Sequence, residues 1–294
     1  MKTQILLLAL LFAAGEAAAQ TTLQVVTKTV QKTVSWKPGY SVEINCEKAD
    51  IEVETAPAGQ NSISVKAELS ARHPKLDSAT LDVKAWKFVT STVGKKIFVR
   101  AYIGLPSGAA LPTSNLKAKL KVTVPANCPT TLSNKFGSAR LENIAAPVSL
   151  SGEFCAFTLL QLGGKVQVDS RYGNVDGKQL SGPVEVQTKR ADVSLAGLNG
   201  DCKVVSEYGS VQLEAYPQTG NVTVQSSKGD VTLAMPQTHH HNLDLKANHG
   251  EVTVPLGLRL DANASGDNHQ VSLRQGDNLP RIFVETTLGN IIIK

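Results

Sequence analysis

Hydrophobic and polar residues alternate along most of this chain, and the alternation keeps a fixed phase. In Leu180–Gly197, LSGPVEVQTKRADVSLAG, the apolar positions Val184 and Val186, then Val193 and Leu195, lie two apart. That is the period of a strand with one buried face, and it excludes an amphipathic helix. The following stretch, Leu198–Ala215 (LNGDCKVVSEYGSVQLEA), repeats the pattern at a period of 18 residues. It is preceded by LGGKVQVDSRYGNVDGKQ from Leu162 and by a worn copy, IAAPVSLSGEFCAFTLLQ, from Ile144. The turn position recurs at Gly137, Cys155, Gly173, Ala191 and Gly209, then loosens to Gly229 and Gly250 at spacings of 20 and 21. A last echo, LGNIIIK, ends at Lys294.

Two short strands separated by Gly or Asp turns cannot bury their own apolar face, whereas copies stacked at the strand spacing of about 4.8 Å build a continuous core. The expected fold is therefore all-β, a β-solenoid with 18-residue rungs. Its interior columns are Val166, Val184, Cys202 and Val222 on one side and Val175, Val193, Val211 and Val231 on the other. Small residues, Ser170, Thr188, Ser206 and Ser226, recur where the chain bends. The same frame catches SVEINCEKADIEV at 41–53, which aligns without a gap on PVEVQTKRADVSL at 183–195.

The organisation that follows is one solenoid domain over 20–294. Its first rung lies at 40–57, an insertion at 58–125, the main rungs at 126–254 and an irregular C-terminal cap at 255–294. Within the insertion, alternation at Ile63–Leu69, Val83–Val89, Ile97–Ala101 and Leu116–Val124 predicts strands forming an antiparallel sheet folded out from the first rung.

At the N-terminus, Lys2, the apolar run Ile5–Ala14 and the small residues Ala17, Ala18 and Ala19 have the layout of a secretory signal peptide over 1–19. Gly15 and Glu16 end the run short of the roughly 20 apolar residues a membrane span needs. The expectation is an exported protein without a transmembrane span, in the periplasm, at the cell surface or outside the cell. A net charge of +5 over 294 residues is too small to suggest a nucleic-acid partner.

These residues resemble a bacterial domain-of-unknown-function family described as putative adhesins, related to the heads of auto-transporter adhesins. The resemblance is carried by KPGYSVEINCEKADIEV, by KVTVP at Lys121–Pro125, and by the repeated S-x-x-G-[DNS]-V-x-[VL] in SRYGNV, SEYGSVQL and SSKGDVTL. It implies a strand-repeat solenoid outside the cytoplasm and brings no catalytic residues. The chain departs from the family pattern at SGEFCAFTL, where Cys155 takes the place of the turn glycine, and after Pro255.

Four cysteines in an oxidising compartment invite a disulfide. The repeat frame, however, puts no two of Cys46, Cys128, Cys155 and Cys202 in one column of adjacent rungs. If a bridge forms, Cys46 and Cys128 belong to neighbouring rungs.

Asn174, Asp176 and Asp192 fall on one outward face. With Arg171, Lys189 and Arg190 nearby they outline a metal-assisted polysaccharide lyase. The plainer reading is that Asp and Asn at turns satisfy backbone amides, and three oxygens are too few for calcium. His239, His240, His241 and His249 make a poor imidazole site, because strand alternation separates consecutive side chains. No nucleophile elbow, P-loop or dinucleotide fingerprint is present, and no cofactor is expected.

Two surfaces remain as binding candidates. Just before the turn, Phe136, Phe154, Tyr172, Arg190 and Tyr208 recur in register; stacked rungs place Arg190 between Tyr172 and Tyr208, as a structural ladder or a sugar-binding strip. The second surface is the insertion. From Lys84 to Lys121 there are eight basic residues and no acidic one. Alternation groups Lys84, Trp86 and Phe88, then Phe98, Arg100 and Tyr102, then Lys117, Lys119 and Lys121. If their strands pair in one sheet, these faces merge into a surface for an anionic glycan or envelope polymer. The functional expectation is a non-enzymatic, adhesin-like envelope-interaction protein. A lyase-like enzyme and a structural scaffold without a ligand are the alternatives.

Overall fold

The strands hydrogen-bond in the 18-residue frame. The computed structural model describes residues 22–235, 240–255 and 261–294, so the segment read as a signal peptide and His239 lie outside the described residues. In chain order the elements are β1 (Gln24–Ser35), β2 (Ser41–Thr55), β3 (Ser62–His73), α1 (Leu76–Asp82), a 3-10 turn (Val83–Ala85), β4 (Trp86–Val93), β5 (Lys96–Ile103) and β6 (Asn115–Val124). Then come β7 (Thr130–Glu142), β8 (Val148–Leu162), β9 (Val166–Arg171), β10 (Val175–Leu180), β11 (Val184–Lys189), β12 (Val193–Leu198), β13 (Cys202–Glu207) and β14 (Val211–Glu214). The chain closes with β15 (Val222–Lys228), β16 (Val231–Ala234), β17 (Asn242–Asn248), β18 (Val252–Thr253), β19 (Asp261–Ser265), β20 (Asn268–Leu273), β21 (Arg281–Leu288) and β22 (Ile291–Ile293).

Both interior columns form as the period requires. Val184 pairs in parallel register with Val166 and Cys202, and Cys202 with Val222; Val193 pairs with Val175 and Val211, and Val211 with Val231. All eight are buried. The protein is an all-β solenoid with one apolar core.

The S-x-x-G-[DNS]-V-x-[VL] motif has a physical explanation at each polar position. The bend serine donates to the carbonyl of the turn glycine three residues on: Ser170 to Gly173 at 2.6 Å, Ser206 to Gly209 at 3.4 Å and Ser226 to Gly229 at 3.2 Å. Where the next residue is Asn or Asp, its side chain accepts the backbone N–H of its counterpart one rung along. Asn174 Oδ1 accepts from Asp192 at 3.0 Å, Asp192 Oδ1 from Ser210 at 2.8 Å, and Asp230 Oδ1 from Asn290 at 2.8 Å. At Gly209 a side chain is sterically excluded, since a Cβ there would sit 2.0 Å from the carbonyl oxygen of Ala191.

The worn rung replaces these parts together. Cys155 in the turn is buried and receives the amide of Asn134 at 3.3 Å. Gly152 stands in the bend column, where a Cβ would meet the buried Phe157 ring at 2.7 Å. The larger Phe157 in a valine column thus takes the space that the missing bend side chain leaves.

Two parts of the chain depart from the expected layout. The insertion has antiparallel pairs, β3 with β6, β1 with β3 and β4 with β5. Yet β5 and β6 also run parallel to β2, aligning Ile97 with Val42 and Leu120 with Ile51. They add a layer to the stack instead of folding out from it, and β4, β3 and β1 close that end. Around Val83 the expected strand is helical, because buried Ala79 and Val83, four apart, follow the helix period.

At the other end, the segment read as an irregular cap contains a complete rung. β21 and β22 lie between β15–β16 and β17–β18, with Ile282 between Val222 and Leu243, and Ile291 between Val231 and Val252. The hairpin extension β20–β19 continues antiparallel from β17, which makes β17 the last parallel layer and leaves the returning chain to fill the gap inside it.

Candidate ligand-binding site

The fold separates the three faces expected to merge. β5 lies on the first half of β2 and β6 on the second half, so Phe98, Arg100 and Tyr102 do not share a surface with Lys117, Lys119 and Lys121. Trp86 is 1% exposed, its indole N–H donating to the Ser70 carbonyl at 3.1 Å, and Phe88 packs on the core. Lys84 belongs to the 3-10 turn. Outward positions of β4 are instead Lys87, Val89 and Ser91, opposite Tyr102, Arg100 and Phe98.

The lysine row of β6 lies beside acids that are distant in sequence. Asp50 and Glu52 of β2 stand opposite Lys119 and Lys121, and Glu68 of β3 flanks Lys119 from the other side. Lys117 Nζ is 2.6 Å from Asp50, and Lys121 Nζ is 3.0 Å from Glu54, whose carboxylate holds the Lys121 ammonium above its usual pKa. The expected concentration of positive charge is therefore interleaved with negative charge.

A cleft of about 500 Å³ opens where Tyr102 and Arg100 stand beside Glu47, Asn45 and Lys135, with Val89 on its rim. Tyr102 is 43% exposed and Val89 42%. The Arg100 guanidinium lies 4.9 Å from the centroid of the Phe98 ring and makes no ion pair among the described residues. Glu47 is already engaged, since its Oε1 accepts the Ile103 N–H at 2.6 Å. Lys135 and Glu153 are 3.9 Å apart, a loose and exposed pair. The cleft thus brings together a guanidinium without an ion-pair partner among the described residues, an exposed aromatic ring and a weakly paired ammonium.

Next to this cleft runs the corner column, to which the structure adds Lys48 and Lys228. Lys48, Phe136, Phe154, Tyr172, Arg190 and Tyr208 occupy successive rungs, all with φ between 51° and 61°. This left-handed backbone costs a non-glycine residue roughly 1–2 kcal/mol. Stacking offsets part of it: Phe136 and Phe154 are 5.2 Å apart and 3° from parallel, Phe154 and Tyr172 4.7 Å apart and 8° from parallel. Arg190 lies between Tyr172 at 5.9 Å and Tyr208 at 5.5 Å, and Lys228 covers the far side of Tyr208 at 4.7 Å. Lys48 was legible in principle, because the alignment of 41–53 on 183–195 puts it in the column of Arg190.

The turn acids and the histidines have other partners. The Asn174 and Asp192 side chains accept backbone N–H groups of the next rung, and Asp192 also accepts the Ser210 hydroxyl at 2.9 Å. His241 is buried against the Thr219 carbonyl at 3.0 Å, and His249 is exposed, 3.2 Å from Asp267. All four cysteines are free and buried. Burial pushes the Cys46 and Cys202 thiols up to about 12 and Cys128 to about 11.

These features define a parallel β-solenoid with a polar-aromatic corner. Residues 40–294 match the Toastrack DUF4097 family, and the chain belongs to it. Among solved structures, a putative adhesin from Bacteroides fragilis NCTC 9343 is 12% identical, with a TM-score of 0.43 over 91% of this chain and 97% of that one. A putative cell adhesion protein from Clostridium sporogenes ATCC 15579 is 14% identical, with a TM-score of 0.30 over 92% and 99%. A putative lipid binding protein from Parabacteroides distasonis ATCC 8503 is 11% identical, with a TM-score of 0.30 over 90% and 96%. No curated protein matches the sequence. No helix among the described residues is long and apolar enough to cross a membrane.

Proposed function

We propose that this protein is an exported, non-enzymatic interaction module that binds an anionic envelope polymer in the cleft formed by Arg100, Tyr102 and Lys135. The observation that carries this reading is the uncommitted Arg100 guanidinium beside an exposed tyrosine in a cleft of about 500 Å³. A guanidinium supplies a planar pair of donors for carboxylate or phosphate, and tyrosine supplies contact area at low entropic cost. The signal-peptide pattern of residues 1–19 and membership of the Toastrack family support export and an envelope role.

The test is retention of the purified chain on immobilised polygalacturonate and on lipopolysaccharide. Retention should weaken steeply with salt as the Debye length falls from about 10 Å at 0.1 M to about 3 Å at 1 M. Arg100→Gln with Lys135→Gln should abolish it at unchanged melting temperature. The triple change of Lys117, Lys119 and Lys121 to Gln should reduce it only slightly, since Lys117 and Lys121 already pair with Asp50 and Glu54. Retention of the Arg100/Lys135 variant equal to wild type overturns the reading.

A further inference from the structure

Among the described residues, the corner ladder leaves one aromatic face without a stacked ring or a cation–π contact. Phe154 is sandwiched between Phe136 and Tyr172, Tyr172 between Phe154 and Arg190, and Tyr208 between Arg190 and Lys228. Phe136 has a stacking partner only on the Phe154 side, and its opposite face looks toward Lys48 on the adjacent rung. There the surface opens into a cleft of about 310 Å³ lined by Lys48, Asn115, Leu116, Lys117, Phe136 and Gly137. Rings with both faces occupied present only their edges to solvent, so along the column a flat ligand can stack only at this end.

We infer that the Phe136 face is a subsite for one pyranose ring of an acidic polysaccharide, with the carboxylate of that ring held by Lys48. This deepens the proposed function and rests on it. The C–H groups on one side of a pyranose carry partial positive charge and suit the negative face of an aromatic ring. Lys48 makes no ion pair among the described residues, while Lys117 is taken by Asp50, so the Lys48 ammonium is the cation available to a uronate. Asn115 adds an amide donor and acceptor for ring hydroxyls. The left-handed backbone at Lys48 and Phe136, φ 51° and 61°, swings both side chains out at the corner. The larger cleft lies immediately beside it, because Glu47 and Lys135, which line that cleft, precede Lys48 and Phe136 in the chain. A chain of sugar rings crossing the corner would meet both.

The experiment uses tetragalacturonate and its methyl ester as probes, titrated calorimetrically into the full mature chain. Lys48→Phe extends the stack by one ring and covers the Phe136 face, in a backbone geometry that Phe136 and Phe154 already adopt. It should weaken tetragalacturonate binding about tenfold or more while the melting temperature holds or rises. Lys48→Gln should weaken binding of the acid but not of the ester. Phe136→Asn, a residue that tolerates the left-handed backbone, should weaken both. Wild-type affinity in Lys48→Phe, with loss in Arg100→Gln, overturns the Phe136 subsite and leaves the polymer-binding reading standing. No binding by the wild type overturns both.

Discussion

The carbonyl oxygen of Gly289 lies 2.0 Å from where a Cβ on Gly250 would stand, and the Gly229 carbonyl oxygen lies 2.3 Å from a Cβ on Gly289. The three glycines stack in the order 229, 289, 250, so the last rung of the chain is an inner layer of the solenoid. The rung containing Gly250 therefore docks on strands made after it in sequence.

Removing residues 281–294 should strip β17 and β18 of their parallel partner as well as deleting β21 and β22. Hydrogen exchange should show amides of 242–248 losing protection while those of β9–β14 keep theirs. A milder variant, Ile291→Ala, should cost about 2–5 kcal/mol, because Ile291 is fully buried between Val231 and Val252. Undiminished protection of 242–248 in the truncated chain would contradict the observed rung order.

Ser170 and Thr188 occupy the same bend column with opposite consequences. Ser170 Oγ donates to the Gly173 carbonyl at 2.6 Å, whereas Thr188 Oγ1 is buried without a partner among the described residues. Ser170→Ala should destabilise by about 1 kcal/mol, and Thr188→Val should be neutral or stabilising because it removes an unsatisfied hydroxyl. Denaturant melts decide this, and equal losses in both variants would mean that the bend hydroxyls act by packing alone.

The cysteines should be unreactive in the folded state. With Cys128 raised to about 11 and Cys46 and Cys202 to about 12 by burial, at most about one thiol in a thousand is thiolate at pH 8. Ellman's reagent should titrate none of the 4 thiols within minutes in buffer and all of them in guanidinium. Rapid labelling of Cys46 under native conditions would show that the β2 rung opens locally.

Acid should destabilise the fold through His241. Burial pushes this imidazole below its ordinary 6.5, with the Thr219 carbonyl opposing and His240 adding to the shift. The unfolded chain therefore takes up the proton first. Stability is full above pH ~6.5, falls as pH drops through that value, and levels off once folded His241 itself titrates. The melting temperature of wild type should decline between pH 7.5 and 5.5, and that of His241→Gln should decline less. Parallel curves would assign the acid sensitivity elsewhere.

The columns follow from the repeat alone. Val166, Val184 and Cys202 share one because a constant 18-residue period and a two-residue alternation place each of them on its neighbour without reference to the rest of the molecule, and Val222 joins them after a turn two residues longer. The serine, glycine and Asx positions were equally legible, since their partners sit three residues on or one rung along. Which layers meet where the period lapses depends on contacts between distant parts of the chain. Alternation says which side chains share a face but not which strand lies alongside, and backbone hydrogen bonds between strands carry no sequence preference. For that reason Lys119 and Lys121 could be placed on one face but not beside Asp50 and Glu52, nor Ile282 between Val222 and Leu243. Trp86 escaped for a related reason. Its segment enters the core from a helical turn, so its burial depends on Ser70 and the packing around it and not on a strand period.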